Sequence, residues 1–238
     1  MSITRRWLRL GWVGAVVVLL AGLLAGLRAH TPGANITWNR EVSRIVYERC
    51  ASCHRPGGTA FSLMTYQDAR PHAAAIKDAV LSRRMPPWGA VKGFGDFRDD
   101  QGLTQEQIEL ITDWVEGSTP RGNNPNMLPA PPKFDSSSPR TPPPPKGVVV
   151  SGDVTIDHAI RLDGLLPEKV PDGVSMQIIA RLPNGSVAPL LWLYEYRDSY
   201  RHPFLFRRPI DLPPGTMIRG VQPGTRLLLM SDQRAKSR

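Results

Sequence analysis

Two cysteines are the whole thiol inventory of this 238-residue chain, and they stand three apart in Arg49-Cys50-Ala51-Ser52-Cys53-His54. A thiol pair supports four kinds of chemistry: a disulfide, half of a zinc site, a redox couple, or covalent attachment of a haem. At this length a core can be buried without disulfide staples, so a purely structural bridge has little to do. Structural zinc takes four Cys or His ligands, commonly from two such pairs. There is no second Cys pair, and His30, His72, His158 and His202 are scattered without ligand spacing. A thioredoxin-type couple follows a strand and opens a helix. Here the pair follows a helical pattern and precedes Pro56-Gly57-Gly58. What remains is Cys50-x-x-Cys53-His54, the c-type haem attachment pattern. Two thioether bonds fix the porphyrin edge, and the adjacent histidine is then placed to ligate iron from the proximal side.

Iron held in this way usually takes a second axial ligand, often methionine in electron transfer. Met64 lies only ten residues past His54, too little chain to wrap a haem, and Met127 falls among prolines. Met85 heads Met85-Pro86-Pro87-Trp88, where the prolines force extended backbone that can aim a side chain at the haem face. We therefore expect His54 and Met85 as proximal and distal iron ligands, with His72 as the rival to Met85. The alternative for Met85 is core filling, a common use of methionine. Trp88 and Tyr66 are candidates to pack on the haem, and Arg55, Arg83, Arg84 and Lys92 to pair with its propionates.

The elements that must position these residues follow from periodicity. Asn39 is a candidate N-cap, after which Val42, Ile45 and Val46 recur at helical spacing up to Cys50. A second helical pattern runs over 73–84 and stops at Pro86-Pro87. A third opens on a capping box, Thr104 with Gln107, carries Ile108, Ile111, Trp114 and Val115 on one face, and ends at Gly117. Residues 119–146 hold ten prolines, which predicts an extended, semi-rigid spacer. Beyond it come β-rich runs at 148–150, 176–182, 189–196, 203–207 and 217–221. They are punctuated by Pro171-Asp172-Gly173, Pro183-Asn184-Gly185 and Pro213-Pro214-Gly215, the pattern of a small antiparallel sandwich.

The formal charge of +9 suggests a nucleic-acid binder until it is partitioned. Arg5, Arg6, Arg9 and Arg28 give +4 to residues 1–30, which carry no acid. Residues 31–146 contribute +2 (14 basic, 12 acidic) and 147–238 contribute +3 (12 basic, 9 acidic), three of those basic residues being Arg234, Lys236 and Arg238 in the tail. The body is close to neutral and has no basic stripe with interleaved aromatics, so no nucleic-acid partner is expected. The leading arginines precede Leu10–Leu27, 18 uncharged residues that span about 27 Å as a helix. Basic residues on the leading side keep that end cytoplasmic and export the rest. The run is longer than a usual signal core, and Leu27-Arg28-Ala29 is a poor small-x-small cleavage site. A retained anchor is the reading we favour, with a cleaved signal peptide as its alternative. Either places the body on the periplasmic side of the cytoplasmic membrane, where haem is attached to such motifs.

A family resemblance joins these features. Cys50 to His54, Thr65-Tyr66-Gln67-Asp68-Ala69-Arg70-Pro71, Arg83-Arg84-Met85-Pro86-Pro87-Trp88, Gly93-Phe94-Gly95, Leu103-Thr104 and Trp114-Val115 resemble one group of bacterial cytochrome c domains. Those domains occur beside domains similar to copper type II, ascorbate-dependent monooxygenases. The resemblance covers about residues 36–122 and implies an α-helical cytochrome c fold, with Cys50 and Cys53 as attachment sites, His54 proximal and Met85 distal. A weaker resemblance over about 170–221 links Leu182-Pro183-Asn184-Gly185, Leu190-Leu191-Trp192, Tyr196-Arg197-Asp198, Arg208-Pro209-Ile210 and Leu212-Pro213-Pro214-Gly215-Thr216 to the second sandwich of those monooxygenases. Their His-x-His copper motif has no counterpart in 166–175, so neither copper nor monooxygenase activity is expected.

The expected architecture is thus multi-domain: an N-terminal transmembrane or signal helix (1–30), an all-α cytochrome c domain (36–118), a Pro-rich linker (119–146) and a small all-β antiparallel sandwich (147–232). The expected role is a monohaem electron carrier with one covalent haem c, redox proteins as partners and the membrane as its anchor. The alternative is the haem-bearing subunit of a larger oxidoreductase, docked through the sandwich. A haem enzyme or gas sensor with an open iron position is the third reading.

Overall fold

Alternation of apolar and polar residues dominates the C-terminal half of the computed structural model, which describes residues 36–134 and 145–231. Eight strands form two four-stranded antiparallel sheets. They are β1 (Gly147–Val150), β2 (Val154–Thr155), β3 (Ile160–Lys169), β4 (Met176–Arg181), β5 (Val187–Leu193), β6 (Phe204–Leu212), β7 (Met217–Arg219) and β8 (Arg226–Ser231). One sheet runs in the order β1-β8-β3-β6 and the other β2-β7-β4-β5. Leu162, Leu165, Phe204, Phe206, Leu227 and Leu229 of the first sheet and Ile178, Leu190, Leu193 and Ile218 of the second are almost fully buried in one shared core. Each such side chain contributes about 1.5–3 kcal/mol by leaving water.

The N-terminal half holds short helices. A π-helical turn, Trp38–Val42, runs into α1 (Ser43–Arg49); α2 (Tyr66–Ala69) passes through a 3-10 turn into α3 (Ala73–Leu81); and α4 spans Gln105–Glu116. Thr37, and not Asn39, caps the first of these by accepting from the Arg40 amide. Asn39 is buried and donates to the carbonyls of Gly122 and Asn124. The capping box on α4 is present in both directions between Thr104 and Gln107. Ile108, Ile111 and Trp114 of α4 are buried, and Trp114 meets Trp38 at a ring-centroid distance of 6.0 Å. Tyr66 also lies in this helical core, edge-on to Trp38, with its hydroxyl donating to the Thr119 carbonyl at 2.9 Å.

The expectation of an all-α domain over 36–118, followed by a linker and a separate sandwich, is corrected by this architecture. The described residues are mostly β, their longest α-helix has twelve residues, and no α-helix lies between Leu81 and Gln105. Pro86 and Pro87 end the helical pattern, and the chain then crosses to the sandwich. Residues 88–98 form a strap along one edge of each sheet, leaving β1 and β2 as the other two edges. Val91 donates to the Trp192 carbonyl at 2.8 Å and Tyr194 to that of Gly89 at 3.0 Å, on edge strand β5. Arg98 donates to Leu205 and Arg207 to Asp96, at 2.9 and 2.8 Å, on edge strand β6. Exposed sheet edges invite pairing with other chains, and covering them is a common remedy. Trp88 and Phe97 enter the sandwich core from this strap. Arg98 adds a 2.7 Å ion pair to Asp163.

The first part of the Pro-rich stretch is likewise tied down. Trp38 and Asn39 donate to the carbonyls of Pro120 and Arg121, and the Trp114 indole donates to Pro120, each at 3.0 Å. The basic and apolar N-terminal segment, read above as a transmembrane or signal helix, lies outside the described residues. Among the described residues no helix is long and apolar enough to cross a membrane.

Candidate functional site

The two cysteines close the end of α1. Cys50 is its C-cap, and the next turn continues helically, with the amides of Cys53 and His54 donating to the Cys50 carbonyl at 3.1 and 2.9 Å. Both thiols are free and half-buried. Burial pushes the Cys50 thiol up to about 12, the neighbouring Cys53 adding to the rise and Arg49 opposing it. Redox-active pairs need the reverse, a thiol lowered by a helix N-terminus or a cation, so this turn does not suit disulfide exchange. Among the described residues no group of three or more His, Cys, Asp or Glu side chains comes together as a metal site.

Pro56-Gly57-Gly58 turns the chain back over the motif. Ala60 donates to the Cys53 carbonyl at 3.2 Å and Leu63 to that of His54 at 3.1 Å. The return passes so close that a Cβ on Gly58 would stand 2.2 Å from the Cys53 carbonyl oxygen, which reserves that position for glycine. The consequence falls on His54. Its Nδ1 is 2.9 Å from the Phe61 carbonyl, an oxygen that can only accept, so Nδ1 donates there and Nε2 is the nitrogen left to face a ligand. Metal-ligating histidines are commonly oriented in this way by a backbone carbonyl on the second nitrogen. Phe61, which is 53% exposed, lies edge-on to the His54 ring at 4.8 Å and against His72 at 4.3 Å.

Met85 is half-buried past the other end of α3. Its amide donates to the Ala79 carbonyl at 3.1 Å, and its side chain lines a cavity with Val80, Trp88, Lys92, Leu103 and Ile108. The ring contacts of His54 lead to His72 at the start of α3, and α3 is about 14 Å long. Cys50, Cys53 and His54 thus share one turn at the end of α1, and Met85 follows the far end of α3. A chain of polar contacts links the two halves. Arg49, next to Cys50, donates to the Asp100 carbonyl at 2.6 Å, and the Asp100 carboxylate pairs with Lys92 at 2.8 Å.

The other sequence candidates divide. Trp88 lies in the sandwich core, stacked on His202 at 4.8 Å and edge-on to Phe204 at 5.0 Å. Of the four candidate propionate partners, Lys92 is held by Asp100 and Arg84 by Asp78, and Arg55 lies over the Phe134 ring at 4.2 Å. Sequence reasoning missed Phe61 as the residue whose carbonyl orients His54, and periodicity carries no signal for a backbone acceptor in a loop. It also missed the strap. Its signal was present in Trp88, Phe94 and Phe97, aromatic residues in a stretch too rich in glycine for a helix. Comparison with protein-family models, with curated proteins and with solved structures finds no match.

Proposed function

We propose that this chain is a monohaem c-type electron carrier, and not itself an enzyme, working on the periplasmic side of the cytoplasmic membrane. The observation that carries the reading is the His54 Nδ1 hydrogen bond to Phe61. It leaves Nε2 available on the residue that directly follows the cysteine pair. The donor set fits one haem c: two free thiols within one helical turn for the thioether bonds, and an imidazole oriented through its Nδ1 for the iron. When bound, the haem takes up and gives back a single electron.

The residues of this chain do the rest. Cys50 and Cys53 keep the cofactor from being lost outside the cell. The folded-back loop over 55–63 fixes the His54 tautomer. With haem bound, Met85 would hold the iron together with His54, a choice that favours a raised reduction potential. The cavity it lines is walled by Val80, Trp88, Leu103 and Ile108, with Arg83 and Lys92 at its polar side. Residues 1–30 supply export, which this kind of attachment requires. Redox proteins dock at the face marked by exposed Phe61.

Optical spectra of the protein made together with haem-maturation machinery test this reading. The parent is expected to be low-spin in both oxidation states, with a thioether-to-iron band when oxidised that disappears in Met85→Ala. A five-coordinate parent spectrum contradicts the carrier role, and an unchanged band in Met85→Ala removes Met85 from the iron.

A further inference from the structure

Met85 and Trp88 are separated by two prolines and nothing else. Proline fixes φ near −65°, so the link between them has lost its softest torsions. The Trp88 amide donates back to the Pro86 carbonyl at 2.8 Å, which tightens the turn further. On its far side Trp88 is 6% exposed and belongs to the sandwich core, among Phe97, Phe204 and His202. The strap continues from it into hydrogen bonds with β5 and β6, one edge strand of each sheet. On its near side, the Met85 amide is tied to α3 through Ala79. Met85 thus stands on a stiff bridge with one foot in the helical part and the other in the sandwich.

We propose that Trp88 is a positioning residue through which the β-sandwich sets the placement of Met85. The proposal rests on the haem reading above and assigns the sandwich a role within it. Methionine has three flexible side-chain torsions and adapts readily to its surroundings, so its backbone must be held from outside if the sulfur is to keep one position. Movement of the Trp88 ring within the sandwich core is passed through Pro87 and Pro86 to Met85, because the intervening chain has little freedom to absorb it. The sandwich is then a clamp on one iron ligand, built by the crossing of the strap.

The test compares the haem-loaded parent with Trp88→Phe, Trp88→Ala and Phe204→Leu, reading the thioether-to-iron band and the reduction potential at a temperature where every variant used is folded. The expected result is loss of most of the band and a lowered potential in Trp88→Ala. Trp88→Phe should show a smaller change in the same direction, because a ring still fills the site. Phe204→Leu, a sandwich residue beyond the strap, should shift both readouts while covalent haem content stays at the parent level. If Trp88→Ala does not fold, Trp88→Phe and Phe204→Leu decide the matter. Amide exchange in the haem-free protein adds a separate readout: Val91 and Tyr194 should exchange faster in both variants. Folded variants with full haem, an unchanged band and an unchanged potential overturn the coupling and leave the haem reading intact. A parent without covalent haem overturns both.

Discussion

Burial holds the Cys50 thiol at about 12, so at pH 8 only about one molecule in ten thousand carries the reactive thiolate there. In the haem-free protein Cys50 is therefore expected to resist alkylation by iodoacetamide at pH 8, as read by peptide mass mapping after a timed quench. Complete labelling of Cys50 within minutes would contradict its burial. His202 offers a second test at this scale. Its desolvation beneath Trp88 lowers its affinity for a proton, with the hydrogen bond to the Tyr200 carbonyl opposing. The unfolded chain binds that proton more readily, so the stability His202 supports is complete above an unfolded value of about 6.5 and is lost as pH falls through the lower folded value. His202→Gln should flatten the decline in melting temperature below that pH, and an unchanged acid slope would count against it. Residue chemistry was partly legible in the sequence. Cys50, Cys53 and His54 declare themselves by spacing, whereas the Phe61 carbonyl and the burial of His202 arise only when distant segments meet.

At the level of elements, short helices depend on their caps. Thr104 accepts from the Gln107 amide and Gln107 returns the bond to the Thr104 amide, at 3.1 and 3.0 Å. Thr104→Ala is expected to cost about 1 kcal/mol in urea unfolding; no change would mean that α4 is held by packing alone. The strap has its own sensitive point in Gly95, at φ 83°. A Cβ there would meet the Leu190 carbonyl oxygen at 2.6 Å and the Phe97 ring at 2.7 Å. Gly95→Ala should destabilise the protein by roughly 1–3 kcal/mol. Alternation revealed β1, β4, β5, β6 and β7 within a few residues, and the capping box placed α4. The longest strand, β3, was hidden because Asp163-Gly164 and Pro167 look like turn and breaker residues. A register shift between Leu162 and Gly164 accommodates them and leaves both Leu162 and Leu165 buried. β8 carries Leu227-Leu228-Leu229, an unbroken apolar run in an interior strand of its sheet, and such runs show no strand period.

For the whole molecule the strap decides how the parts behave together. Composition divided the chain at the prolines after residue 118, and local pattern alone supports that division. Across that division Trp88 and Phe97 reach into the sandwich core, an effect that no local window contains. Unfolding followed by far-ultraviolet circular dichroism and by tryptophan fluorescence should therefore give coincident urea transitions, since the helical part and the sandwich share the strap. Two separated transitions would mean that the strap detaches independently. The haem account also has a direct physical consequence for the entire chain, its mass. Intact-mass spectrometry of the denatured protein, made with haem-maturation machinery, tests the central claim. A gain of one haem is expected, retained after denaturation and located on the peptide containing Cys50 and Cys53, and absent from the Cys50→Ala, Cys53→Ala double variant. A parent protein at its unmodified polypeptide mass would contradict it.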